Sequence, residues 1–191
     1  MSIIRTVVDF INATIKQKVL TSPAFEFARL RNICYPMPEV VDNGTMIKIV
    51  PTNIGNDSEG EIIDLDEDFP ILIYHRIVNK SYQLEQKQAK SFGDGYNQNC
   101  TADMYMIVCA DRGIVNCQAD ELEELIIRSL PVNLKIGAVK RCILAPYQSD
   151  LDFIKIFKQE FQQVQYFLKP EQILFQIKYK LQVDTDTNCT I

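Results

Sequence analysis

The sequence predicts an α+β domain, with an antiparallel sheet of about four to five strands and two to three helices packed on one face. Three stretches carry that expectation. Phe175-Gln176-Ile177-Lys178-Tyr179-Lys180-Leu181-Gln182-Val183 alternates apolar and polar residues without a break. Successive strand side chains point to opposite faces, so Phe175, Ile177, Tyr179, Leu181 and Val183 belong on a core and the glutamines and lysines belong in water or against a partner. Near the other end Ile3, Ile4, Val7, Val8, Ile11, Ile15 and Val19 recur at helical spacing, with Ser2 placed to cap the first turn. The third stretch, 118–130, opens with Asp120, Glu121, Glu123 and Glu124, which suit the positive end of a helix dipole. Its Leu122, Leu125, Ile126 and Leu130 share one face, and Pro131 ends it.

The remaining elements follow in order. Pro23, Pro36 and Pro38 punctuate an irregular connector after helix 3–20, with Cys34 and Tyr35 expected as its buried points. Residues 46–50 form a short strand. The segment 51–69 is rich in glycine, asparagine and acid and is expected to be a surface excursion with at most one short strand, around Ile62 and Ile63. Residues 71–78 are an apolar, β-branched run that fits a buried strand, and 101–110 alternates with Ala102, Met104, Met106, Val108 and Ala110 on one face. Between them, 80–100 is polar, and loops of that length in compact domains are usually functional or disordered. A short strand at 139–144 precedes Ser149-Asp150-Leu151-Asp152, a capping pattern that predicts a helix over 149–161 with Phe153, Ile154, Phe157 and Phe161 as its apolar stripe. After the closing strand, 184–191 is a polar tail.

The chain has 191 residues, 47% hydrophobic and 24% charged, which fits one soluble domain able to bury roughly 70% of its unfolded surface. The stretch 2–20 carries Arg5, Asp9, Lys16 and Lys18 and lacks a small-residue cleavage site, so it reads as neither a signal peptide nor a membrane span. Cysteines at 34, 100, 109, 117, 142 and 189 include no C-x-x-C pair and lack zinc-site spacing. Reduced thiols in a bacterial cytoplasm are expected, which leaves Asn43-Gly44-Thr45 and Asn79-Lys80-Ser81 without meaning as glycosylation signals.

Net charge is -5, but Asp57, Glu59, Glu61, Asp64, Asp66, Glu67 and Asp68 place seven negative charges within twelve residues. No lysine or arginine lies between Lys48 and Arg76, so a local negative patch follows. A solvated loop is the plain reading of that run.

No chemistry of catalysis is legible. The one histidine, His75, sits inside an apolar strand, where a hydrogen-bonded structural role is expected over acid–base work. No phosphate-binding loop is present, Gly93-Asp94-Gly95 being too short. The acidic run lacks calcium-loop spacing, and no basic cluster interleaved with aromatics offers a nucleic-acid footprint. No cofactor and no metal are expected.

The succession of helix 3–20, two strands flanking a long polar stretch, helix 118–130, a short strand, helix 149–161 and a terminal Phe-x-Ile-x-Tyr-x-Leu strand resembles the tail-terminator and tail-completion proteins of tailed bacteriophages. The resemblance extends to neck ring proteins of short-tailed, crAss-like phages. It implies a non-catalytic virion protein, made in the bacterial host, that forms a homo-oligomeric ring between portal or connector and tail and admits DNA through its lumen without binding it specifically. On that reading 80–100 is an arm toward neighbours, with Glu85, Lys87, Lys90, Phe92, Asp94 and Tyr96 as contact residues. The run Asp57, Glu59, Glu61, Asp64, Asp66, Glu67 and Asp68 would face the DNA channel and repel phosphate. A cytoplasmic adaptor or binding domain is the alternative, and an enzyme would have only Asp64, Asp66 and Asp68 as a carboxylate centre.

Overall fold

A computed structural model of the chain describes residues 3–21, 28–41, 46–54, 60–62, 70–86, 96–115, 119–131, 133–136, 139–150 and 172–186. Helix α1 spans Ile3–Lys18, followed by strands β1 (Ala28–Val41), β2 (Met46–Ile54), β3 (Gly60–Ile62), β4 (Ile71–Gln86) and β5 (Tyr96–Asp111). A single turn α2 (Arg112–Val115) and helix α3 (Ala119–Ser129) lead to β6 (Asn133–Ile136), β7 (Val139–Asp150) and β8 (Gln172–Asp186). The expected α+β class holds, but the sheet is larger than the four to five strands anticipated. Eight strands join in the order β3-β2-β1-β4-β5-β8-β7-β6. Every neighbouring pair is antiparallel except β1 and β4, which run parallel.

One face of the sheet carries the main core. From β4 come Ile71 and Ile73, from β5 Ala102, Met104, Met106, Val108 and Ala110, and from β8 the expected set Phe175, Ile177, Tyr179, Leu181 and Val183. Helix α1 lays Ile4, Val7, Val8, Ile11 and Ile15 onto this face, and α3 adds Leu122 and Ile126. Each fully buried side chain of this size contributes roughly 1.5–3 kcal/mol relative to exposure. Leu125, expected on the buried stripe of α3, is instead exposed at the stripe's edge. The exposed Arg128–Glu124 pair, 2.7 Å apart, adds only about 0.3–0.5 kcal/mol.

Several expectations are corrected. Residues 28–41 are strand β1 rather than an irregular connector, and Tyr35 is exposed while Cys34 is buried. Pro36 lies opposite Pro51, a pair with no N–H on either side, and Pro38 lies opposite Ile49. A proline cannot donate to a further strand, and β1 accordingly stops pairing with β4 at Ile33–His75, before the first proline. The segment 51–69 is partly ladder, since β2 continues to Ile54 and β3 pairs with it. Strand β7 extends through Asp150, so Ser149 and Asp150 lie opposite Ile177 and Gln176 and do not cap a helix there. The rest of the anticipated 149–161 helix lies outside the described residues. The polar tail starts later than 184, because β8 runs to Asp186.

The wet face expected for β8 is wet only along part of its length. Gln176 and Lys178 are 1% and 8% exposed, whereas Lys180 and Gln182 are exposed. Leu72, Tyr74, Ile107 and Leu174 are buried beside them, so this end of the sheet is closed on both faces. Lys178 is accommodated with its ammonium 5.5 Å from the centre of the Tyr105 ring opposite it, a cation–π contact, and its stem packed in the sheet.

His75 ties the layers together. It is fully buried, its Nε2 lies 2.8 Å from Asn12 Oδ1 of α1, and its Nδ1 lies 2.9 Å from the Tyr179 hydroxyl of β8. Asn12 donates through Nδ2 to the Arg31 carbonyl at 3.1 Å. A carbonyl can only accept, which fixes every group in the chain. Asn12 turns Oδ1 to His75, His75 must carry its proton on Nε2, and Tyr179 must donate to Nδ1. Arg31 belongs to a bulge in β1, where three residues from Leu30 to Ile33 span two from Ile73 to His75. Next to it Asn32 donates to the Asp9 carboxylate of α1. Four elements are thereby joined through one directional series of hydrogen bonds.

Burial lowers the His75 pKa from 6.5 to about 3. The folded state holds the ring neutral while the unfolded chain takes up a proton below pH 6.5. The stabilisation is therefore complete above pH 6.5 and declines toward pH 3 by about 1.4 kcal/mol per pH unit. Replacing His75 with glutamine should destabilise the protein at pH 7 by about 1–3 kcal/mol, by leaving a buried partner unsatisfied. Denaturant titrations at pH 7 and pH 4.5 should then show the gap between wild type and His75→Gln shrinking at the lower pH; a gap independent of pH would refute a buried neutral histidine.

Candidate interaction surfaces

The β4–β5 hairpin is paired from Ile71–Ala110 to Gln86–Tyr96, so each strand is 16 residues and roughly 50 Å long. The expected 80–100 loop is thus mostly ladder, and only nine residues, 87–95, separate the strands. Of the proposed contact residues, Glu85 lies in β4 and Tyr96 opens β5 opposite Gln86. Lys87, Lys90, Phe92 and Asp94 lie outside the described residues. Strand β8 accompanies β5 as far as the Asn97–Asp186 pair.

Beyond His75 the character of β4 changes. Its pairing with β1 has ended, and a bulge at Val78, between the Ile77–Met104 and Asn79–Asp103 pairs, exchanges the faces of the strand. Every residue from Val78 to Gln83 is exposed, including Val78 at 47% and Tyr82 at 51%. On β1 at comparable heights Tyr35 and Met37 are exposed as well. Lys80 stands 4.6 Å from the centre of the Tyr82 ring, a cation–π contact on the exposed stretch rather than packing against the core. On the other face Lys180 and Asp103 form an ion pair of 3.7 Å across β5 and β8. Sequence reasoning missed the Tyr35, Met37, Val78 and Tyr82 exposure because periodicity shows which residues share a face, not where a neighbouring strand stops.

Of the proposed acidic set, Glu61 lies in β3, the outermost strand at one side of the sheet. Asp57, Glu59, Asp64, Asp66, Glu67 and Asp68 lie outside the described residues, flanking β3 in sequence. Among the described residues no three His, Cys, Asp or Glu side chains are grouped to hold a metal, and no helix is long and apolar enough to cross a membrane. His75, neutral and saturated by Asn12 and Tyr179, has no free nitrogen to offer a substrate.

Cys34, Cys100, Cys109 and Cys142 form no disulfide. Cys117 and Cys189 lie outside the described residues. Burial, with the Asp184 carboxylate adding to it, pushes the Cys142 thiol up to about 11. Burial also raises Cys100, against an opposing pull from the Lys80 ammonium. These are core side chains rather than nucleophiles.

Searches against protein-family models and against curated proteins find no match to this chain.

At pH 8 a thiol of pKa about 11 is roughly one part in a thousand thiolate. Cys142 should therefore resist alkylation in the native protein and react only through opening of the sheet. All six thiols should react in denaturant without reductant. Counting four or fewer there would establish disulfides and remove the reducing-compartment reading.

Proposed function

We propose that the protein is a structural, non-catalytic ring component of a bacteriophage head–tail connector or tail terminus, built into the neck or tail of the virion after synthesis in the host cytoplasm. It joins portal or neck to tail and leaves a lumen through which DNA passes. The observation that carries this reading is the β4–β5 hairpin, which is exposed along β4 from Val78 to Gln83 and extends well past the last pairing with β1. A domain gains little stability from ordering the exposed stretch of β4, since the backbone entropy lost is about 1–2 kcal/mol per residue and Val78 to Gln83 bury little apolar surface to offset it. Contact with other subunits supplies a reason for it. The succession of elements noted in the sequence supports the same reading, as does a chain whose one histidine is locked in a structural role.

The strand boundaries decide how the arm is tested. Replacing 87–95 with an Asn-Gly turn leaves the Gln86–Tyr96 pair intact and removes Lys87, Lys90, Phe92 and Asp94. The shortened protein should keep its unfolding midpoint, because loop closure entropy changes slowly with length. Particles assembled with it in place of the wild-type chain should accumulate as heads not joined to tails. Normal joining would overturn the arm, and a wild-type chain that never enters particles would overturn the virion reading in favour of a cytoplasmic adaptor.

A further inference from the structure

Helices α1 and α3 touch each other on one face of the sheet and send their apolar stripes into a common core. Their outward sides are exposed. Along α1 these residues are Asp9, Phe10, Ala13, Lys16, Gln17 and Lys18, and along α3 they are Asp120, Glu121, Glu124, Leu125 and Arg128. Positions three and four apart share a helix face, so each set forms one outward ridge. Each ridge carries an uncovered apolar side chain, Phe10 at 39% exposed and Leu125 at 42%. Charge is ordered the same way on both. The α1 ridge begins with Asp9 and ends with Lys16 and Lys18, while the α3 ridge begins with Asp120, Glu121 and Glu124 and ends with Arg128.

From this pattern we infer that two copies of the chain pair through the helix layer, α1 of each lying antiparallel on α3 of the other. Antiparallel packing reverses the order of charge on one ridge, so unlike charges meet at both ends and apolar residues meet between them. Parallel packing would set like charges together. Asp9 and Lys16 are seven residues apart, as are Glu121 and Arg128, and at 1.5 Å per residue both spans are about 10 Å. With Asp9 beside Arg128 of the second copy, Lys16 is level with Glu121 and Lys18 falls within one residue of Asp120. Ala13 falls within one residue of Leu125. Its small side chain leaves a hollow between Phe10 and Gln17 for that leucine and lets the helix axes approach to about 8–10 Å.

The fold supplies this orientation. Asn12 bonds Arg31 and Asp9 bonds Asn32, so α1 runs against β1. The chain enters α3 from the Asp111–Gln172 end of the sheet and leaves it for Asn133, which is level with Gln182 through Ile143, so α3 runs along β8. Strand β8 shares its direction with β4 and hence with β1. Within one chain α1 and α3 are therefore antiparallel. A two-fold axis over the helix layer and along the helices sets each on its counterpart in the other copy and makes both contacts antiparallel at once. Such an isologous contact closes at two copies. It goes beyond the ring reading and needs no portal, tail or DNA. Both halves of the charge pattern lie on this chain, which is what a second copy requires, and Lys16, Lys18 and Asp120 form no ion pair among the described residues.

Charge reversal on the full chain tests it. Lys16→Glu with Lys18→Glu sets acid against acid in both halves of the contact, and Asp120→Lys with Glu121→Lys sets base against base. Each double variant should lose self-association by about 100-fold, since like charges facing each other across a contact are strongly unfavourable. Mixed in equal amounts, the two should form a one-to-one heterodimer by native mass spectrometry, because unlike charges then meet in both halves, and this rescue excludes misfolding as the cause of the loss. Leu125→Ala should weaken the wild-type dimer by about 10-fold, the loss of one well-placed apolar contact. Wild-type association should also weaken as salt rises. A wild-type chain that stays monomeric at high concentration, a double variant that keeps the wild-type oligomer, or variants that fail to rescue each other would each overturn the helix-layer contact. These outcomes are read in solution, whereas the virion reading stands or falls on entry into particles.

Discussion

The fold depends on one neutral imidazole. His75 occupies a position that an isoleucine or leucine could fill, yet there it accepts from Tyr179 and donates to Asn12, which donates to the Arg31 carbonyl. An apolar stripe such as that of α1 can slide on an apolar sheet by a helical turn with small loss of contact. A directional chain of hydrogen bonds cannot, because a shifted Asn12 would leave His75, Tyr179 and a bulged carbonyl unsatisfied in the core. The α1 register, the β1 bulge and the depth of β8 are thus fixed by a single proton arrangement. Asn32 and Asp9 repeat the clamp at the surface.

Burial along the long strands is graded. At the Ile71–Ala110 end both faces are closed, as the burial of Tyr74, Ile107, Gln176 and Lys178 records. Farther along, the helix-covered face of β5 and β8 stays buried through Cys100 and Val183, while β4 beside them is exposed from Val78 to Gln83. The end of β1 pairing, where Pro36 and Pro38 begin, and the bulge at Val78 divide these regions. Two prolines and one extra residue therefore mark where the core ends along β4 and its exposed stretch begins.

Elements with a strong period were legible in the sequence. The α1 stripe from Ile4 to Ile15, the core of α3 at Leu122 and Ile126, and the alternation of β5 and β8 all lie where their spacing indicated. What eluded it has physical causes. Strand β1 carries two prolines, a local signal for a break, and pairing against another proline-containing strand overrides that signal. Strand ends such as 79–86, 96–100 and 184–186 are mostly polar, and there ladder pairing holds residues that hydropathy assigns to a loop. Ser149 and Asp150 mimic a helix cap, but pairing with β8 claims them. Gln176 and Lys178 read as solvent-facing, and only the closure of the second face makes them interior. The acidic run was legible as charge, and of its seven acids Glu61, in β3, is the one among the described residues.

The order of strands has a consequence for how the chain is made. His75 finds one partner 63 residues before it and another 104 residues after it, and β5 lies between β4 and β8. On a ribosome, β4 and β5 can zip into a hairpin as they emerge, but the far side of β5 stays open and the imidazole stays half satisfied until β8 is synthesised. Contacts of such long sequence separation form slowly. The nascent chain therefore holds an open strand edge at the centre of its future sheet throughout the synthesis of α3, β6 and β7, and the moment of greatest vulnerability to wrong pairing precedes the arrival of Tyr179.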